Sequence, residues 1–288
     1  MIKDTRLSYF TGCLLMLLLI SCNGNNDNSI PESIKDKQKI FLIAGQSNAM
    51  GVGDKEASIF VPDREVYEYD SVKDTLVILK DPVGQDYLNF QDAETGSFIP
   101  ALAYEYNRTT ENKILVIQAA KGGSSLTEEA EINNWENWSE EGNLFSSSIY
   151  KTQKALSVLN ESEINAIFWS QGENDGQAIA SNLITKQDYR NALINLVQRY
   201  HNLFGEIPFI IIETGRSRGN PAKDQGYTEI REAQREVAAE MGNVYIGYNE
   251  TEFFIERQWM IDGVHYNQEA LNDIGKKLAY FYASLEEE

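Results

Sequence analysis

The chain contains two histidines, and their sequence surroundings give them different chemical prospects. His265 follows Asp262 by three residues, in a polar segment before a predicted C-terminal helix. A carboxylate in the same turn can accept a hydrogen bond from the imidazole, which fixes the tautomer and stabilises the protonated ring. His201 lies in a helical pattern and is predicted to be a partly exposed helix residue. His265 with Asp262 is therefore the candidate general base, unless the two residues only shape the turn before the helix.

Ser47 offers this base a nucleophile. It follows the first apolar run of the chain within the glycine-rich segment Ala44–Gly51. Glycines permit a tight turn and a close approach of main-chain amides to a substrate. A serine at the amino end of the next helix can present both its hydroxyl and its own N–H. The same position also suits an ordinary helix N-cap, and the segment alone does not separate these two interpretations.

Ester hydrolysis also requires hydrogen-bond donors facing the oxygen that gains charge as the carbonyl becomes tetrahedral. Suitable donors are the main-chain N–H groups of Ser47 and Gly122 and the side-chain amide of Gln171 or Asn174. Taken singly, Gly122 with Gly123 also suits a simple turn, and Asn174 also suits a turn residue.

Five short apolar runs alternate with helical patterns from residue 39 onward. Their near-continuous apolar character is typical of strands that are covered on both faces. The alternation predicts one α/β domain with a mostly parallel five-stranded sheet, helices on both sides and right-handed crossovers. A hairpin-like stretch at Val66–Tyr69 and Thr75–Leu79 is interpreted as an excursion from this pattern. The runs are Ile40–Ala44, Ile114–Gln118, Ile164–Trp169, Ile207–Ile212 and Val244–Tyr248.

Ligands of open α/β sheets bind beyond the carboxyl ends of the strands. Four polar segments follow a predicted strand or a late connection, and we expect them to converge on one rim of the sheet. Within the third of them, Glu173 and Asp175 are expected to hold the loop by hydrogen bonds. The segments are Gly45–Asn48, Lys121–Ser124, Gln171–Asp175 and Asp262–His265.

These segments carry a family resemblance. Gly45–Asn48 (Gly-Gln-Ser-Asn) resembles the first block of SGNH hydrolases, in the version found in sialate O-acetylesterase-like carbohydrate esterases. Trp169–Asp175 resembles the third block of that group, which is built around Gln-Gly-Glu-x-Asp, and Asp262–His265 resembles the last block. Gly122 matches the glycine of the second block. The four blocks occur in the family's order and cover most of residues 39–285.

The resemblance implies a flavodoxin-like three-layer α/β/α sandwich and a serine esterase mechanism that uses Ser47, His265 and Asp262. It implies no metal or other cofactor, and its expected substrate is an acetylated glycan, either a polysaccharide or a sialic acid. The broad superfamily takes its third oxyanion donor from the position of Asn174, whereas the acetylesterase group often lacks asparagine there, which points to Gln171. The alternatives are an SGNH lipase or thioesterase acting on longer acyl chains, and a surface glycan-binding protein that has lost catalysis.

Four residues are predicted to contact the substrate: Gln46, Asn48, Trp135 and Arg216. Gln46 and Asn48 flank the nucleophile in the first block. Trp135, with Trp138 close by, could stack on a sugar ring or pack into the core. Arg216 could recognise a sugar carboxylate together with Arg218, or lie in a solvated loop.

The first 21 residues have the features of a bacterial lipoprotein signal peptide. Basic residues precede the apolar run Cys13–Ile20, which is far shorter than the roughly 20 residues that a membrane-spanning helix needs. Leu19–Cys22 resembles the lipoprotein cleavage site, so Cys22 is predicted to carry the lipid. Residues 22–37 are interpreted as a flexible tether and residues 38–288 as the catalytic domain. The expected location is across the inner membrane, in the periplasm or on the cell surface, with the membrane reached only through Cys22.

Charge and cysteine content exclude several kinds of partner and site. The formal net charge of −19 repels polyanions, so no nucleic-acid partner is expected. Cys13 lies in the predicted signal peptide and Cys22 is predicted to carry the lipid, so the predicted domain holds no thiol. This excludes a disulfide, a cysteine nucleophile and cysteine-ligated zinc in that domain, and a single usable histidine disfavours a multi-histidine metal site.

Overall fold

Seven strands form one sheet in the computed structural model, which describes residues 38–62 and 65–287. The strands are β1 (Gln38–Gly45), β2 (Val66–Asp70), β3 (Thr75–Ile78), β4 (Lys113–Ala120), β5 (Ala166–Ser170), β6 (Phe209–Ile212) and β7 (Val244–Tyr248). Their order across the sheet is β3-β2-β4-β1-β5-β6-β7. Neighbouring strands are parallel throughout, except that β3 runs antiparallel to β2.

Helices cover both faces of this sheet. They are α1 (Ser47–Met50), α2 (Ile99–Thr110), α3 (Asn143–Leu159), α4 (Glu173–Ala180), α5 (Lys186–Phe204), α6 (Pro221–Glu240) and α7 (Gln268–Leu285). Alternate residues of the central strand β1 face opposite layers: Leu42 packs with α3, α5 and α6, and Phe41 packs with α2 and α7. This two-sided burial explains the near-continuous apolar run in β1, and it confirms the three-layer α/β/α sandwich.

The predicted number of strands was wrong. All five apolar runs overlap a strand, but the hairpin interpreted as an excursion extends the same sheet to seven strands. Val66 of β2 pairs with Ile114 of β4, and Tyr67 of β2 pairs with Ile78 of β3. The sequence showed the hairpin but not its partner in the sheet, because β2 pairs with β4 through residues such as Val66 and Ile114 that lie 48 positions apart in the chain.

Two glycines allow β1 and β5 to end side by side. Gly45 has a φ of +137° and Gly172 a φ of +151°, in the region that favours glycine. A Cβ atom at Gly45 would collide with the carbonyl group of Ser170, and one at Gly172 would collide with the side chain of Thr214. The turns after β1 and β5 therefore depend on these two residues, and they place the starts of α1 and α4 next to each other.

The predicted signal peptide, Cys22 and the tether lie outside the described residues. Within the part of the chain that the structure does describe, no helix has the length and apolar character needed to cross a bilayer.

Candidate active site

The four polar segments expected at the rim of the sheet do meet there. They surround a cavity of about 670 Å³ at the carboxyl ends of β1, β4 and β5. Ser47, Gly122, Asn174 and His265 each contribute to its wall, one from each segment. The structure thus brings together residues that are up to 218 positions apart in the sequence.

A continuous hydrogen-bond chain links Asp262, His265 and Ser47. Oδ2 of Asp262 lies 2.7 Å from Nδ1 of His265, and Nε2 of His265 lies 3.0 Å from Oγ of Ser47. In the tautomer that donates from Nδ1 to the carboxylate, Nε2 is free to accept the hydroxyl proton of Ser47. The arrangement can therefore deprotonate the serine as it attacks a substrate.

Asp262 is held as an ionised partner for this histidine. Its Oδ1 accepts hydrogen bonds from the main-chain N–H groups of Val264 and His265, at 2.7 and 2.8 Å. Partial burial opposes ionisation, but these bonds and the imidazole outweigh it, so the pKa of Asp262 lies below its usual value. The carboxylate is therefore charged at neutral pH and can stabilise a protonated His265.

Ser47 is the first residue of α1 and is not its N-cap. The N-cap position belongs to Gln46, which makes no side-chain capping bond. The Ser47 hydroxyl instead meets the imidazole. Of the two interpretations left open by the sequence, the structure excludes the N-cap.

Asn174, and not Gln171, stands at the cavity wall. Nδ2 of Asn174 donates to the carbonyl of Gly123, beside Gly122. Gln171 is buried away from the cavity, and its Nε2 donates to Asp175 at 2.5 Å. Since Gln171 does not line the cavity, the prediction that Gln171 could be an oxyanion donor is not supported by its placement.

The main-chain N–H of Gly122 also faces the cavity, but it has a partner. It donates to Oε1 of Gln91 at 3.0 Å, and Gln91 lines the same wall. The main chain of Gln91 is fixed on both sides, because its N–H donates to Ala120 and its carbonyl accepts from Gln118. Sequence reasoning missed Gln91, since it lies in an irregular loop outside the four blocks.

Gln46 and Asn48, the predicted substrate contacts on either side of Ser47, are each only 2% exposed, but Gln46 lines the cavity and Asn48 does not, so the prediction is corrected for Asn48 alone. Oε1 of Gln46 accepts from the N–H groups of Gly172 and Glu173 at the start of α4, although the residue still borders the cavity. Asn48 does not reach the cavity wall and bonds to Glu173 instead. Both residues therefore connect the segments of the site to each other.

Trp138 and Trp135 lie in different environments. Trp138 is fully buried against Phe90 and Trp169, and its Nε1 donates to Oγ of Ser124. Trp135 is 43% exposed, lines the cavity and lies against Gly123. Of the two, Trp135 is the one placed to meet a substrate.

Arg216 does not reach the cavity, which corrects its prediction as a substrate contact. Its guanidinium forms ion pairs with Asp224 and Glu256, because these acidic residues surround it in the folded chain. The lysines that do line the cavity are Lys121 and Lys223. Lys121 immediately precedes the second-block glycine, so the sequence could have indicated it as a site residue. Lys223 lies in the first turn of α6, where no sequence feature points to the site.

His201 is buried rather than partly exposed. It lies in α5, is 8% exposed, and its Nε2 lies 3.0 Å from the carbonyl oxygen of Ile207. It is remote from the rim of the sheet and has no part in the site.

The carboxylates of Glu173 and Asp175 hold neighbouring segments in place. Asp175 accepts hydrogen bonds from the main-chain N–H groups of Leu126 and Thr127, just after the second block. Burial raises the pKa of both carboxyl groups, although their hydrogen bonds partly offset it. Among the described residues, no group of three or more His, Cys, Asp or Glu side chains is placed to hold a metal ion.

The geometry of this site agrees with a family match. The family model for carbohydrate esterases of the sialic acid-specific acetylesterase type matches residues 37–284. The chain belongs to this family. As a member of it, the protein is a carboxylic ester hydrolase of the carbohydrate esterase type.

Solved structures share the fold of this esterase at low sequence identity. A protein from Arabidopsis thaliana has a TM-score of 0.67 at 20% identity, over 86% of this chain and 98% of its own. NanS has a TM-score of 0.55 at 15% identity, over 88% and 99%. A carbohydrate acetylesterase from Xanthomonas citri has a TM-score of 0.53 at 16% identity, over 84% of this chain and 55% of its own. No curated protein sequence matches this chain.

Proposed function

We propose that this esterase removes O-acetyl groups from carbohydrates through a covalent acyl-enzyme formed on Ser47. The observation that carries the proposal is the unbroken chain from Asp262 through His265 to Ser47, with links of 2.7 and 3.0 Å. These distances are within hydrogen-bond reach for a base and its nucleophile. Membership of an acetylesterase family supports acetyl as the acyl group.

In the first step, His265 accepts the proton of the Ser47 hydroxyl as Oγ attacks the acetyl carbonyl. The tetrahedral intermediate collapses when the protonated His265 gives that proton to the leaving sugar oxygen. Water then enters and gives a proton to His265 as the water oxygen attacks the acyl-serine. When this second tetrahedral intermediate collapses, His265 returns that proton to Oγ of Ser47 and acetate leaves. Asp262 stabilises the imidazolium in both steps.

The oxyanion is held by the N–H groups of Ser47 and Gly122 together with the side-chain amide of Asn174. Gln91 occupies the Gly122 donor, so its side chain must turn aside before the substrate oxygen can accept that bond. A single donor of this kind typically contributes about 2.7–4 kcal/mol to lowering the barrier.

Trp135 and the two lysines provide the wall against which the sugar would lie. Aromatic faces offer a sugar ring apolar contact area, and Trp135 is exposed along the cavity. Lys121 and Lys223 would favour a sugar that carries a carboxylate, such as a sialic or uronic acid, in a protein whose net charge is −19.

The test measures acetate release from acetylated xylans, pectins and sialosides by the wild type and by Ser47→Ala and His265→Ala. Each substitution is expected to lower kcat by on the order of 10⁴-fold or more, because the base and nucleophile act as one unit. A matched control is Ser148→Ala, which removes another buried hydroxyl, in α3. A fluorophosphonate should label the wild type and not Ser47→Ala. Near-normal turnover by well-folded Ser47→Ala would refute the mechanism, and a preference for p-nitrophenyl octanoate over acetate would favour a lipase instead.

We also infer from the sequence that Cys22 carries a lipid that anchors the enzyme to a membrane. The short apolar run before Cys22 supports this proposal. Cys22→Ser is expected to move the protein from the membrane fraction to the soluble extracytoplasmic fraction. Unchanged membrane association of that variant would contradict the proposal.

A further inference from the structure

Asn48 occupies a position between three segments of the site. It follows the nucleophile directly, and its Nδ2 donates to Oε1 of Glu173 at 2.7 Å and to the carbonyl of Val264 at 3.3 Å. Its Oδ1 accepts from the main-chain N–H of Tyr266 at 3.4 Å. Val264 and Tyr266 are the two residues on either side of His265, so the Asn48 amide holds the main chain around the base.

Asn48 and Ser47 together make the direct hydrogen-bond connection between α1 and this loop. Among the described residues, the hydrogen bonds that join α1 to residues 264–266 are the two from Asn48 and the one between Ser47 and His265. The Ser47 bond must break as the serine attacks. The Asn48 bonds can persist through that step, because Asn48 does not react.

Glu173 fixes the orientation of Asn48. Its main-chain N–H is held by Gln46, and its side chain is 3% exposed, with Oε1 on the Asn48 amide. Among the described residues, its Oε2 has no hydrogen-bond partner. Burial raises the pKa of Glu173 and so favours the neutral carboxyl, whose carbonyl oxygen can still accept from Asn48.

We propose that Asn48 and Glu173 are a positioning pair, which holds the loop that carries His265 at the distance from Ser47 that proton transfer requires. Asn48 does not line the cavity, Glu173 borders it with only 3% of its surface exposed, and the pair acts through His265. This inference rests on the proposed function, because it assigns these residues to the same reaction.

Three substitutions test the pair: Asn48→Leu, Glu173→Leu and Glu173→Gln. The two leucine variants remove the bonds and are expected to lower kcat on the order of 10²-fold, since misplacing a reacting group by about 1 Å costs that much. KM for p-nitrophenyl acetate should stay close to the wild-type value in Asn48→Leu, because Asn48 does not line the cavity, whereas Glu173 borders it and its leucine variant is compared by kcat. Glu173→Gln should restore most of kcat, because glutamine keeps an acceptor at the position of Oε1.

Ser148→Ala serves as the control, since it removes a buried hydrogen bond to Tyr200 that has no connection with the site. It should lower the melting temperature without lowering kcat. If the leucine variants do not fold, Asn48→Ala removes the same three bonds without added bulk and is assayed in their place. A kcat for Asn48→Ala or Glu173→Leu equal to that of Ser148→Ala would overturn the proposal, as would failure of Glu173→Gln to restore activity. If the wild type neither hydrolyses acetyl esters nor reacts with fluorophosphonate, the proposed function has failed rather than the positioning pair.

Discussion

The two halves of the site differ sharply in exposure. The loop that carries the base is open to solvent, with side chains of His265 and Asp262 that are 30% and 53% exposed. The other half consists of the starts of α1 and α4 and is buried, since Gln46, Asn48 and Glu173 are at most 3% exposed. Both halves are rich in polar side chains of the same chemical types, so residue type alone does not separate them.

The difference follows from what each half must do. A base that exchanges protons with a substrate and with water has to be reachable, and His265 is. Residues that fix distances benefit from burial, because a hydrogen bond between buried groups is electrostatically stronger and does not compete with water. We therefore expect substitutions in the exposed half to change the chemical step directly, and substitutions in the buried half to change geometry or stability.

Asp262→Asn should give the largest effect that separates these two roles. The asparagine amide would donate to Nδ1 of His265, which leaves the proton on Nε2, so the ring could no longer accept from Ser47. In serine proteases the same change costs about 10⁴-fold in kcat, and we expect a loss of that order here. The measurement is kcat for p-nitrophenyl acetate across the pH range. Activity within tenfold of the wild type would mean that solvent can replace the exposed carboxylate.

Asn174→Ala and Gln171→Leu compare an amide side chain that lines the cavity with one that is buried behind it. We expect Asn174→Ala to lower kcat by about 10²–10³-fold, as for the loss of one oxyanion donor. Gln171→Leu should cost about 1–3 kcal/mol of unfolding free energy, because it leaves the buried Asp175 with one donor fewer. Comparing kcat with urea denaturation for each variant tests the assignment. A larger loss of kcat in Gln171→Leu than in Asn174→Ala would reverse it.

Sequence was sufficient where local spacing or an apolar run carries the information. The three-residue spacing of Asp262 and His265 and the position of Ser47 after β1 led to the residues that the structure brings together. Five strands were recognised because both of their faces are buried. The count fell short by the two strands β2 and β3, because the pairing of β2 with β4 joins residues 48 positions apart, such as Val66 and Ile114, and leaves no local pattern in the sequence.

The sequence did not predict the direction in which a side chain points or the partners it meets from distant parts of the chain. Gln171 and Asn174 are three residues apart, yet one turns into the protein and the other toward the cavity. Arg216 seemed available for a carboxylate because its partner Glu256, 40 residues away, could not be foreseen. Gln91 reaches Gly122 from an irregular loop, where no periodicity applies. These features depend on tertiary packing rather than on local pattern.

Trp135→Ala should have a smaller and more selective effect. A sugar ring that covers about 20–55 Å² of the indole would lose about 0.5–1.4 kcal/mol at roughly 25 cal/mol per Å², so KM for an acetylated glycan should rise about two- to tenfold. The kinetics of p-nitrophenyl acetate should hardly change, since that substrate has no sugar to stack. Equal losses on both substrates would show that Trp135 supports the loop near Gly123 and does not bind the sugar.

Lys151, in α3 and away from the site, is buried like the second half of the site but lacks the hydrogen bonds that the residues there make. Its side chain is fully buried, and among the described residues its Nζ has no hydrogen-bond partner. Burial lowers the pKa of Lys151 from 10.5 to about 8, although Glu68 and Asp70 partly oppose this effect. Burial also raises the pKa of Glu68 from 4.5 to about 8.

The two shifts give opposite pH dependences. The folded state binds the Glu68 proton more tightly than the unfolded state does, so stability from this group falls as pH rises from 4.5 to about 8. The folded state binds the Lys151 proton more weakly, so the cost of burying the ammonium is present below about pH 8 and is relieved between 8 and 10.5. Lys151→Met should therefore raise the melting temperature at pH 7, by about 2–4 °C for each kcal/mol regained, and leave kcat unchanged. The increase in melting temperature should become smaller from pH 8 to 10. An increase that stays constant over that range would show that the buried ammonium charge of Lys151 does not destabilise the folded state.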